Sequence, residues 1–222
     1  MFVLVHGSTQ SSRGWDLLIA ELERRGQRAV TVDLPADQPD ASAMVYAERI
    51  ATAVPADSAD AIVVAHSASG LFLPLVPSYR QVGRLVFLAA VIPKIGSSLL
   101  DQVQEEPDML NPNWRGKDPT KDDAVALEFL FHDCSAEVAA LALGTRQLLL
   151  AREAMVEVCP LVRWPEVPCS YVLCREDRTI RAEWARRVVP GRLGVAAIEM
   201  GGGHCPHVCR AGELADVLVG LR

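Results

Sequence analysis

The chain has no run of 18 apolar residues, the length a membrane-spanning helix requires. It has no basic cluster to offset a formal net charge of −6, which argues against nucleic acid or an anionic membrane as its main partner. Residues Met1 to Gly7 carry no charged leader, long apolar stretch or small-residue cleavage site. A secretory signal is therefore not read, and a cytoplasmic location is expected. In that compartment Cys134, Cys159, Cys169, Cys174, Cys205 and Cys209 are expected to be reduced. Internal repeats and low-complexity segments are lacking, and so is a literal Gly-x-Ser-x-Gly motif.

What is present suits one ordinary globular domain. Half of the 222 residues are hydrophobic and 23% are charged. Strand-like runs occur at Phe2 to Val5, Ala29 to Asp33, Ala61 to Ala65, Arg84 to Ala90, Ser170 to Cys174 and Val195 to Met200. Helical patterns lie between or after them, at Ser12 to Arg25, Ser42 to Val54, Ala68 to Ser78, Arg181 to Val189 and Ala211 to Leu221. This alternation predicts an α/β fold, a mostly parallel sheet of about six strands with helices on both faces. The alternation fails from Pro93 to about Val158, where proline, glycine and polar residues precede helical runs. A loop that long is unfavourable in a compact domain. The expectation is a core of residues 1–93 and 159–222 with a cap inserted at 94–158, including a helix over Ala136 to Leu143 capped by Asp133 or Ser135.

The most informative stretch is Ala61 to Leu71, an apolar strand that ends on Ser67 and turns helical. A serine at such a turn is held in a strained backbone with its hydroxyl exposed at the C-terminal edge of the sheet. Its neighbours two residues away must be small, and here they are Ala65 and Ser69. Ser69 could compete as nucleophile, but Leu71 then stands where a small residue is needed. A nucleophilic serine requires a base and an acid that orients the base. Asp177 follows the strand ending at Cys174, with Glu176 and Asp133 as competitors. His204 follows the triple glycine Gly201 to Gly203, with His207 as competitor. All three lie at C-terminal strand ends, where ligands gather in open α/β sheets.

The amides of Ala68 and Ser8 are candidates for an oxyanion hole, with Gly7 allowing close backbone approach. Ala68 gains from the helix N-terminus it opens. His6 and His66 read as structural. His204, Cys205, His207 and Cys209 crowd into six residues, far tighter than the paired ligands of a zinc site, so no metal and no cofactor is expected. Gly7, Thr9, Trp114, Phe129, Phe131 and Cys205 are candidates for binding an apolar substrate, the aromatic ones as part of the cap.

Phe2 to Gly7, Trp15, Val32 to Pro35, Ala65 to Gly70, Asp177 and Gly203-His204, in that order, resemble the α/β-hydrolase superfamily. More narrowly they resemble its small esterase and hydroxynitrile lyase group, which includes plant methylesterases. The resemblance implies Ser67 as nucleophile, His204 as base, Asp177 as orienting acid and the Ser8 and Ala68 amides as oxyanion donors. The implied activity is serine carboxylesterase hydrolysis of a small to medium apolar ester, with a homodimer left open. Lyases of the group carry a threonine where this chain has Gly7, and a lysine after the catalytic histidine where it has Cys205. That weakens a C–C lyase reading. A third alternative is a catalytically weak binding protein on the same scaffold.

Overall fold

The computed structural model describes residues 1–149 and 151–222. Six strands form one sheet in the order β2-β1-β3-β4-β5-β6, and every neighbouring pair is parallel. They are β1 (Phe2–Val5), β2 (Ala29–Val32), β3 (Ile62–His66), β4 (Arg84–Leu88), β5 (Cys169–Cys174) and β6 (Ile198–Met200). The central strands β1, β3 and β4 are apolar except for Arg84 and His66 at two strand ends, because helices cover both faces.

Successive side chains point to opposite faces, which divides the core in two. Val3, Val5, Val63, Ala65, Leu85 and Phe87 pack with Tyr46 and Ile50 of α2 (Ala43–Thr52) and with Trp184 and Val188 of α7 (Ala182–Leu193). Phe2, Leu4, Ile62, Val64, Val86 and Leu88 pack with Leu18 and Leu22 of α1 (Asp16–Arg24) and Leu214 and Leu218 of α9 (Ala211–Val219). No helix among the described residues is long and apolar enough to cross a membrane.

The helix expected over Ala68 to Ser78 is corrected. The chain instead makes two 3₁₀ segments, Ser67–Leu71 and Leu73–Ser78. Pro74 and Pro77 lack the amide that an α-helical ladder needs. The aligned dipole of a full helix is therefore missing behind Ser67, and the local amides remain.

Between β4 and β5 lie α3 (Leu99–Glu105), α4 (Asp123–Phe129), α5 (Ala136–Leu143) and α6 (Arg152–Val156). Ser98 and Asp101 form a reciprocal capping box on α3. Ser135, rather than Asp133, caps α5 by accepting from the Val138 amide. This segment is stitched to the core loops. Leu149 donates to the Ser8 carbonyl at 2.8 Å, Ser11 to the Thr145 carbonyl at 2.9 Å, Asn111 to the Thr179 carbonyl at 2.8 Å and Arg181 to the Met109 carbonyl at 3.0 Å.

A disulfide joins Cys134 to Cys209, 75 residues apart, and ties the start of α5 to α8 (Pro206–Cys209). The expectation of six thiols fails for these two; Cys159, Cys169, Cys174 and Cys205 are free. Disulfides belong with oxidising compartments, so a cytoplasmic location no longer follows from the same reasoning.

Candidate active site

Ser67 lies directly after β3 with φ +56°, a left-handed value rare for a residue with a side chain. Close contact around the turn holds it there. Ser69 is fully buried and donates to the His6 carbonyl at 2.5 Å. The tightest requirement falls one residue later than the sequence suggested. A Cβ on Gly70 would overlap the Val91 carbonyl oxygen. On Gly7 it would come within 2.9 Å of both the His66 ring and the Ser67 Cβ.

The Ser67 hydroxyl donates to His204 Nε2 at 3.0 Å, and His204 Nδ1 donates to Asp177 Oδ2 at 2.8 Å. Both ionisable side chains are almost wholly buried, at 2% and 3% exposure. The other Asp177 oxygen, Oδ1, accepts from the Thr179 amide at 2.7 Å, the Ile180 amide at 3.1 Å and the Thr179 hydroxyl at 3.0 Å. The rival acids hold the histidine loop. Glu176 accepts from the Gly202 amide. Asp133 Oδ2 accepts from the Gly203 amide at 3.0 Å and from Arg210 at 3.1 Å. The loop needs its glycines: Gly202 has φ +96°, and a Cβ on Gly203 would sit 2.6 Å from the His132 ring.

Beneath this row lies a cluster of buried rings. His66 Nε2 donates to the His204 carbonyl at 2.8 Å. His207 Nε2 donates to Gln10 Oε1 at 2.9 Å, and its ring lies 4.3 Å from that of Trp15. His207 thus faces away from Ser67. Burial pushes the His66 pKa well down and pulls His207 to about 3, so both stay neutral. His6 is lowered as well, chiefly by burial; its Nε2 accepts from the Leu34 amide at 3.0 Å.

Above Ser67 opens a cavity of about 160 Å³. Ser8, Thr9, Ala68 and Trp114 line it with Ser67 and His204, as do Val91, Leu99, Met109, Leu110, Met155, Thr179 and Ile180. Gly7, Phe129, Phe131 and Cys205 are not among its walls. Phe129 packs on Trp114 with ring centroids 5.5 Å apart. Phe131 and Cys205 are buried with Ala126, Leu130 and Val208 where α4 and α5 meet α8. The Cys205 sulfur is turned toward Gln10, and burial holds its thiol pKa well up. Nothing in the sequence singles out the apolar walls at Leu99, Met109, Leu110, Met155 and Ile180. No local pattern marks them, because tertiary packing decides which side of each short element faces the cavity.

A hydroxyl with this geometry can be deprotonated by the imidazole while the carboxylate steadies the resulting imidazolium. A family model described as the alpha/beta hydrolase family matches residues 2–217. The chain belongs to the alpha/beta hydrolase family. Among related proteins, Methylesterase 8 of Arabidopsis thaliana is 25% identical over 242 residues, covering 99% of this chain and 88% of the relative. Methylesterase 1 of Arabidopsis thaliana is 26% identical over 249 residues, covering 97% and 93%. Among solved structures, polyneuridine aldehyde esterase superposes with TM-score 0.80 at 20% identity, covering 99% of this hydrolase-family chain and 98% of its own. An extracellular alpha/beta-hydrolase from a Paenibacillus species gives TM-score 0.79 at 19% identity, covering 99% and 97%. At these identities the structural matches establish the fold.

Proposed function

We propose that this hydrolase-family chain is a carboxylic ester hydrolase that works through an acyl-serine intermediate. The observation that carries the reading is the unbroken hydrogen-bond path from Ser67 through His204 to Asp177, opening into a cavity with no charged side chain among its described walls. The names of the methylesterase relatives support it. So does the strained backbone at Ser67.

In this reading His204 Nε2 takes the Ser67 proton as Oγ attacks the ester carbonyl. The Ser8 and Ala68 amides stabilise the oxyanion. His204 then protonates the leaving alcohol, and afterwards deprotonates the water that releases the acid. Asp177 keeps the imidazole proton on Nδ1 and stabilises the charged form. Residues 94–158 act as a cap on the core of 1–93 and 159–222, and Leu99, Met109, Leu110, Trp114 and Met155 shape the acyl site. A cavity of about 150 Å³ accommodates a benzene-sized group. The 160 Å³ here suits uncharged acyl groups of that order. Lyase cleavage of a cyanohydrin needs a fixed cation for the departing cyanide; no lysine or arginine is among the described walls, and Cys205 stands where the lyases carry a lysine.

The test compares p-nitrophenyl acetate, butyrate and octanoate, methyl benzoate and mandelonitrile, with S67A as control. Ester hydrolysis that disappears in S67A supports the proposal. Mandelonitrile cleavage without ester turnover overturns it, as does silence on every ester together with no labelling by a fluorophosphonate.

A further inference from the structure

We propose that Thr179 is a positioning residue of this site, its hydroxyl fixing both the tautomer of His204 and the edge of Asp177 turned toward it. The inference rests on the ester-hydrolase reading above. Thr179 lies in the loop after β5 and is only 2% exposed. Its Oγ1 stands 3.0 Å from Asp177 Oδ1 and 2.6 Å from His204 Nδ1.

A hydroxyl has one proton to give and two lone pairs to offer, whereas an ionised carboxylate can only accept. The Thr179 proton therefore goes to Asp177 Oδ1, leaving a lone pair for the Nδ1–H of His204. That N–H is shared between Thr179 Oγ1 at 2.6 Å and Asp177 Oδ2 at 2.8 Å. If the hydroxyl donated to Nδ1 instead, the imidazole would carry its proton on Nε2 and could not accept one from Ser67. The direction of this O–H bond thus reinforces the tautomer that Asp177 Oδ2 also demands.

The same hydroxyl is the third donor to Asp177 Oδ1, after the Thr179 and Ile180 amides at 2.7 and 3.1 Å. Three donors on one oxygen prevent the carboxylate from rotating and leave Oδ2 to the imidazole. When His204 becomes imidazolium, the hydroxyl oxygen is a second acceptor beside the new charge. Thr179 gains and loses no proton in the cycle. Its carbonyl accepts from the Asn111 amide at 2.8 Å, which anchors the loop carrying all of this.

The experiment measures kcat and KM for p-nitrophenyl butyrate, and the rate of fluorophosphonate labelling, in the full chain and in T179V, T179S and T179A. S67A sets the baseline. Removing a hydrogen bond to a charged group should lower kcat in T179V by on the order of tenfold. KM should stay within about twofold, because valine keeps the shape of the wall. T179S should recover most of the rate, and labelling should follow kcat. A T179V enzyme with undiminished kcat and labelling, or a T179S enzyme as slow as T179V, overturns the proposal. If T179V does not fold, the comparison of T179A with T179S decides in the same way. Ester turnover that persists in S67A, or a parent chain that neither turns over nor labels, overturns the ester-hydrolase reading itself and this inference with it.

Discussion

The floor of the candidate site and its roof are built by different physics. On the floor, Ser67, Asp177 and His204 each follow a strand of one parallel sheet, and strand pairing sets their spacing. The backbone there has almost no latitude: Ser67 sits at φ +56°, and Gly70 has no room for a side chain. The roof consists of four helices of five to eight residues between β4 and β5, none of them paired into the sheet. It is placed by caps, a few backbone bonds and side-chain packing. The floor should therefore govern the chemical step, and the roof should govern what fits.

The largest effect that could break this contrast is loss of the floor chemistry. S67A and H204A should each lower kcat by on the order of 10⁴-fold or more, because members of such a unit fail together. Steady-state kinetics on a p-nitrophenyl ester checks this, and near-normal turnover in either variant would end the assignment. Next comes the covalent tie between the two regions. Replacing Cys134 and Cys209 by serine, or reducing them, should cost about 2–4 kcal/mol of stability. Urea unfolding with and without reductant measures it, and an unchanged midpoint would mean that roof and floor are held together by other contacts.

Acid should loosen the floor from below. His6, His66 and His207 have pKa values lowered from 6.5 by burial, so below that pH the unfolded chain binds protons that the folded chain refuses. Their contribution is complete above about pH 6.5. It declines as pH falls below that value, for His207 by about 1.4 kcal/mol per pH unit until about pH 3. Urea midpoints at pH 7.5, 6 and 5 should fall in that order; constant midpoints would contradict the neutral cluster. The smallest effect belongs to the roof. W114A should raise KM for short esters several-fold, leave kcat within about twofold and shift preference toward bulkier acyl groups. A fall in kcat without a change in preference would erase the distinction.

Legibility in the sequence follows the same division. The six strands were readable because a buried parallel strand is a short apolar run between polar residues, and each run lies within two or three residues of an observed strand. Ser67, His204 and Asp177 were readable for a related reason: each follows such a run, next to small or turn-forming residues. The structure joins the three by hydrogen bonds. Failures arose where the outcome depends on distant partners. Pro74 and Pro77 favour the 3₁₀ path after Ser67, against an apolar pattern with helical spacing. Gly70 looked like part of that helix, and only the nearby Val91 carbonyl shows why it must be glycine. Phe129 and Phe131 drew notice as large apolar residues, yet they pack within the roof or against α8. The Cys134–Cys209 bond spans 75 residues, and nothing local in the sequence announces it.

The backbone bonds across the site have a consequence for how anything enters. The roof does not merely rest on the floor; it pairs with the loops of the candidate site. Leu149 holds the carbonyl of Ser8, Asn111 holds that of Thr179, and Arg181 holds Met109 in return. A rigid swing of this segment would have to break the bonds beside Ser8 and beside Thr179 together, and move against the sulfur bridge to α8. Wide opening of the segment would therefore disturb the backbone bonds of the Ser8 and Thr179 loops beside the Ser67–His204–Asp177 hydrogen bonds. Side chains of the cavity wall such as Trp114 and Met155 can turn without disturbing a single main-chain bond, so small adjustments of the cavity cost far less than moving the segment.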